Sequence, residues 1–136
     1  MIRLRMVRLL QGAEQPAMMV LMDEDQGQAL ATPVSAEEAA ALVASFGQGP
    51  RPGCHDVLLS VVTRLGGAIR RVVIHDLRGD VLIGQIELET PHGIAEIDCR
   101  PGDGVALALR AGCDLFIAEA VLAQAGVPAT LFETSS

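Results

Sequence analysis

Two short stretches gather residues able to act on a phosphate ester: Arg51, His55 and Asp56 in one, and Asp98, Arg100 and Asp103 in the other. Phosphodiester cleavage needs carboxylates to hold a divalent cation and orient water, a base such as histidine, and arginine to bind phosphate or offset developing charge. His55, Asp56, Asp103 and Arg100 are therefore candidate catalytic residues. Arg51 and Arg100 are candidates for substrate binding, and Asp98 and Asp103 for a cation such as Mg²⁺ or Mn²⁺. Each also has a purely structural reading. Asp103 falls in a first helical turn, where an acid favours the helix dipole whatever its chemistry. Asp56 is equally a helix-start acid, Glu38 is the capping-box partner of Ser35, and Asp76 precedes a hairpin turn. Arg100 has two uses, pairing with Asp98 or Asp103, or receiving a phosphate at the helix N-terminus. No glycine-rich phosphate loop, nucleophile elbow, His-Glu-x-x-His or Cys-x-x-Cys is present, and no organic cofactor is expected.

The elements that must position these groups follow from periodicity. Asp98 to Arg110 reads as a strand, a turn and a helix apolar nearly all round, which predicts a central, buried helix. Upstream, Ile2-Arg3-Leu4-Arg5-Met6-Val7 alternates in the manner of a half-buried strand. Ala17–Met22 and Gln28–Val34 continue an antiparallel meander around the acidic turn Asp23-Glu24-Asp25-Gln26-Gly27. An amphipathic helix starts at Ser35, with Ala39, Leu42, Val43 and Phe46 on one face and Gly47 placed to end it. Residues 48–53 form a rigid connector. A second helix then runs from Cys54 through Leu58, Val61, Val62 and Leu65 to Gly66-Gly67. Three strands come next, Ile69–Leu77, Val81–Thr90 and Ile94–Cys99, and Gln85, Glu87 and Glu89 mark a wet face on the middle one. The central helix ends near Gly112, Asp114–Ile117 is a short strand, and Ala118–Ala125 a last helix closed by Gly126. This order predicts an α+β fold: one compact domain over residues 1–127, with a mostly antiparallel sheet packed with about four helices. Residues 128–136 read as a loose C-terminal tail.

Composition narrows the function classes. The chain has 136 residues, a net charge of −7, no Lys or Trp, and Phe46, Phe116 and Phe132 as its aromatics. A broad basic surface and a row of base-stacking aromatics are thereby excluded, though a local arginine site for DNA or RNA is not. No apolar run reaches the roughly 18 residues of a membrane span, and the N-terminus lacks a secretory pattern, so a cytoplasmic protein without membrane contact is expected. Cys54, Cys99 and Cys113 suit neither a disulfide framework nor a zinc set, and read as reduced, mostly buried thiols.

Four segments, in order, resemble the bifunctional nuclease domain family. Arg51-Pro52-Gly53-Cys54-His55-Asp56 is similar to its Arg-Pro-x-Thr-His-Asp motif, and Val73-Ile74-His75-Asp76-Leu77 to its Val-x-Ile-x-Asp-Leu strand. Asp98-Cys99-Arg100-Pro101-Gly102-Asp103, continued by Val105-Ala106-Leu107-Ala108-Leu109-Arg110, resembles its Asp-Ala-Arg-Pro-Ser-Asp-Ala-Ile-Ala-Leu-Ala-Leu-Arg signature. Glu119-x-x-Leu122-x-x-Ala125-Gly126 matches the end of the domain. The resemblance implies an α+β domain, often a homodimer, that hydrolyses DNA and RNA. Cys54 stands where the family has Thr, Gly102 where it has Ser, and Val81-Leu82-Ile83-Gly84 where it has a Thr-Phe-Tyr-Ala-like run, so two cap hydroxyls and an aromatic are absent. Two functions follow. One is a cation-dependent nuclease. The other is a non-catalytic dimeric interaction or regulatory module, in which the same polar residues cap helices and brace turns.

Overall fold

Alternating apolar and polar side chains extend eight segments of the chain into one sheet, and a computed structural model describes it over residues 1–12, 14–23, 25, 27–45 and 51–132. Strands β1 (Ile2–Leu10), β2 (Ala17–Asp23) and β3 (Gln28–Val34) form the first antiparallel meander. Strands β4 (Ala68–Arg78), β5 (Val81–Thr90) and β6 (Gly93–Cys99) form the second. The short β7 (Asp114–Ile117) lies between them, antiparallel to β1 and parallel to β4. With β8 (Val127–Pro128) on β3, the order is β6-β5-β4-β7-β1-β2-β3-β8. The fold is α+β with a mostly antiparallel sheet, as periodicity predicts.

Helices α1 (Ala36–Ser45), α2 (Cys54–Arg64), α3 (Pro101–Ala111) and α4 (Glu119–Ala125) complete the chain. Period-2 alternation sends Met19, Leu21, Val72, Ile74, Leu115 and Ile117 to one core, which Leu42 of α1, Val105 to Ala108 of α3 and Leu122 of α4 share. Residues of this size contribute about 1.5–3 kcal/mol each when fully buried. Helix α3 is the buried helix its composition calls for, opened by Pro101 at its first position and closed by Gly112, whose φ of 68° lies in the left-handed region. Gly104 lets it approach the sheet, since a Cβ there would meet Val72 at 2.9 Å and Cys99 Sγ at 3.0 Å.

Several features depart from expectation. The tail is structured over its first part: Pro128, next to Val127 at the end of the expected domain, pairs with β3, and a 3-10 turn (Ala129–Phe132) buries Ala129 against Val20 and Ala29 on the opposite side of the sheet. Residues 133–136, Phe46, Gly47 and connector residues 48–50 lie outside the described residues. The face with Gln85, Glu87 and Glu89 is polar but partly closed, because Arg71, directly opposite Glu87, grips that carboxylate through two nitrogens and leaves it 12% exposed. The same guanidinium lies 5.8 Å from the Phe116 ring centroid. Helix α2 buries no residue fully, and Val57, Leu58, Val61 and Leu65 are exposed. Among the described residues, no helix is long and apolar enough to cross a membrane.

Candidate functional site

The two polar stretches of the sequence become two helix starts. Gly53 caps α2 and Arg100 caps α3, so Cys54 and Gly102, which stand at hydroxyl positions of the family motif, are inside their helices rather than capping them. This placement brings His55 and Asp103 together: His55 Nε2 lies 3.0 Å from Asp103 Oδ1, with the side chains 17% and 36% exposed. If Nε2 carries the proton and donates it to Asp103, Nδ1 is left with a lone pair. The pair is partly exposed, and His55 and Asp103 do not line the groove described below.

Asp56 faces another way. Its Oδ2 accepts the Gly53 N–H at 2.8 Å, the helix-start role, and its Oδ1 accepts Arg110 Nε at 2.8 Å. Arg110 is the hub that sequence reasoning missed. Its side chain is only 9% exposed, and Nη1 reaches Ser45 Oγ at 2.7 Å, Ala106 O at 3.2 Å and Ala41 O at 3.3 Å, tying α1, α2 and α3 together. A lone arginine ending an apolar helix was the available signal. Beside this pair runs an open groove of about 470 Å³ bordered by Asp56, Leu59, Ser60, Thr63, Arg64 and Arg110.

The Gly53 N–H first, and Arg110 second, hold the Asp56 carboxyl below its ordinary value of 3.8. A carboxyl whose folded value is depressed adds stability that is present above its unfolded value and lost as pH falls through the folded one. The wild type should therefore lose stability as pH falls below about 3.8, and Asp56→Asn should flatten that part of the profile. Thermal melts of the two proteins across acid pH check this; parallel profiles would refute it.

Glu38 does more than cap α1. Its Oε1 accepts the Ser35 N–H and its backbone N–H donates to Ser35 Oγ, both at 3.1 Å, the reciprocal pair that the spacing predicts. Its Oε2 accepts the buried Gly102 N–H at 2.8 Å. A carboxylate thus already occupies the start of α3, where an anion would otherwise be received by the backbone. The Arg100 side chain is exposed there and pairs with neither Asp98 nor Asp103. Arg51 is exposed just ahead of α2.

Asp98 stands apart from Asp103. Cys99 packs into the core, so alternation along β6 turns Asp98 to the opposite face of the sheet. There His75 Nε2 lies 3.3 Å from Asp98 Oδ1, close enough for an ion pair when the imidazole is protonated but not aligned for a hydrogen bond. Among the described residues no three His, Cys, Asp or Glu side chains converge on one point. Asp98 and Asp103 therefore do not make a preformed cage for Mg²⁺ or Mn²⁺. Asp76 accepts the Leu77 N–H and Arg78 Nε, the turn role expected of it. Burial first, then Asp103, Asp98 and Glu38, push the Cys99 thiol up to about 12, so it is inert. Cys54, by contrast, is exposed.

Two helix starts joined by a His–Asp pair, on a sheet of two meanders spliced by a short strand, define an α+β domain with an open polar surface site. Comparison with known proteins gives that class a family. The chain belongs to the bifunctional nuclease domain family, whose model matches residues 19–130. It is also 33% identical over 124 residues to uncharacterized proteins from two strains of Mycobacterium tuberculosis, an overlap covering 89% of this chain and 73% of theirs.

Proposed function

We propose that this domain hydrolyses phosphodiester bonds of DNA or RNA at the surface where α2 and α3 begin. The observation that carries the reading is the 3.0 Å contact between His55 Nε2 and Asp103 Oδ1, which fixes the ring and, with the proton on Nε2, leaves Nδ1 as the base. In this reading His55 takes a proton from water as the new P–O bond forms, and returns it to the leaving oxygen as the old one breaks. Asp103 holds the imidazole in orientation. Arg100 and Arg51 bind the phosphate and offset the charge that builds on its oxygens. Asp56 is a positioning residue, holding the first turn of α2 through Gly53 and Arg110. Every step is carried by the chain's own side chains, and any cation requirement is read from the assay. That assay is cleavage of labelled single-stranded DNA and RNA by highly purified protein in Mg²⁺, in Mn²⁺ and in EDTA, beside His55→Ala and Asp103→Asn prepared identically.

The exposed apolar face of α2 favours a second reading, a homodimeric module. Val57, Leu58, Val61 and Leu65 are 52%, 46%, 48% and 74% exposed, and Ile94 and Ile97 are half exposed on the edge strand β6. A helix face of this kind is commonly closed by another chain. Leu58→Glu with Val61→Glu should convert a dimer into a monomer in sedimentation while leaving the circular dichroism of the domain unchanged. A wild type that sediments as a monomer at all concentrations would remove this reading.

A further inference from the structure

Among the described residues, strand β6 is a border of the sheet: it pairs with β5 alone over Gly93 to Cys99, in unbroken register and without a bulge. A core row runs across the strands to this border. Leu4, Leu115, Val72, Ile86 and Ile97 stand opposite one another in turn, with exposures of 4%, 6%, 0%, 8% and 47%. The row thus ends on an isoleucine left half open to solvent. The neighbouring row, on the opposite face, carries charge. Asp114, Arg71, Glu87 and Glu96 follow one another across the strands, so two carboxylates stand directly opposite each other at the border. Arg71 grips Glu87, whereas Glu96 is exposed and has no ion-pair partner among the described residues. Like charges placed directly opposite destabilise a sheet, and a cation on a further strand would relieve this pair. Asp98 lies on the same face, 65% exposed beside His75.

We propose that β6 accepts an added strand from a partner protein, an extended segment in which an aliphatic residue stands between two cationic ones. The aliphatic residue meets Ile97 and continues the core row, while its neighbours, Arg or Lys, lie opposite Glu96 and Asp98 on the other face. The outward N–H and C=O groups of β6 supply the backbone pairing. Border strands are commonly blunted by lysine, proline or a bulge, and β6 has none of these. A second copy of this chain is a poor occupant. Two β6 strands paired antiparallel about Ile97 would set Glu96 against Asp98, carboxylate on carboxylate. The chain's own Arg3-Leu4-Arg5 has the right pattern, but β1 is already held between β2 and β7. The inference uses neither His55 nor Asp103 and does not rest on the nuclease reading.

The test is fluorescence anisotropy of a labelled peptide, Thr-Val-Arg-Val-Arg-Val-Thr, titrated with the intact protein. One control has the same composition in the order Thr-Arg-Arg-Val-Val-Val-Thr, which breaks the alternation, and another has Glu in place of Arg. Saturable binding of the alternating arginine peptide is expected, with binding of either control weaker by about tenfold or more. Amide hydrogen exchange along β6 should slow in the complex. Glu96→Lys combined with Asp98→Lys changes two exposed side chains and should reverse the preference, so that the glutamate peptide binds and the arginine peptide is lost. Absence of saturable binding to the wild type, including the case of a border already filled by a second copy, overturns the proposal. Equal affinity for the alternating and reordered peptides, or a preference that the double variant leaves unchanged, also overturns it.

Discussion

His55→Ala should lower kcat/KM for cleavage of single-stranded DNA and RNA by about 10²- to 10⁴-fold, the usual contribution of a positioned general base. Asp103→Asn should fall in the same range. The asparagine oxygen can still accept the Nε2 proton at the same 3.0 Å separation, so the loss reports the missing negative charge behind the imidazole rather than a broken contact. The two losses should not add, because both variants disable one unit. In the double variant, kcat/KM should stay close to that of His55→Ala. Equal activity in wild type and both variants would mean a contaminating nuclease, and no activity in any folded preparation would leave the dimeric module as the surviving reading. Dependence on Mg²⁺ or Mn²⁺, abolished by EDTA, would add a cation that the chain alone does not cage.

Gly102→Ala should be a damaging single-methyl change, costing about 1–3 kcal/mol. A Cβ there would lie 2.4 Å from Glu38 Oε2, 2.8 Å from its Cβ and 3.0 Å from its carboxyl carbon. Glu38 cannot easily move, since it is 6% exposed and holds Ser35 and Gly102 at once. The melting temperature should drop by several degrees for each kcal/mol lost in a domain of this size, on the order of 3–6 °C. Glu38→Ala alone should cost about 1–3 kcal/mol through two lost caps. In the double variant Gly102→Ala should cost far less than in the wild type, because the side chain it strikes is gone. A Gly102→Ala melt indistinguishable from wild type would sink the close-packing argument. Glycine at this position, where the family has serine, thus goes with a glutamate reaching across from α1.

Most of the architecture was legible because it is written in local periodicity. Val81–Thr90 and Asp114–Ile117 were bounded correctly from alternation and turn residues, and the capping box of Ser35 and Glu38 follows from a three-residue spacing. What escaped was reach across the chain. Nothing local tells that Glu38 touches residue 102, that Arg110 holds Asp56, or that alternation through Cys99 sends Asp98 to the far face toward His75. The apolar spacing of α2 was read correctly as helical, but periodicity cannot say whether an apolar face meets this chain or another one. Residues 128–132 read as tail because Val127 and Pro128 carry too short a pattern to announce a strand, and the partner that pairs with them is β3.

The splice made by β7 has a consequence for biosynthesis. Each meander joins strands that follow one another closely, so each half of the sheet can assemble as soon as its own residues leave the ribosome. Strand β7 comes later than all six of those strands in the chain, and until it is made, β1 and β4 each present a bare edge. The nascent chain therefore passes through a stage with two half-sheets and two sticky borders, the condition under which chains cross-pair with their neighbours. Four residues, Asp114 to Ile117, end that vulnerable stage.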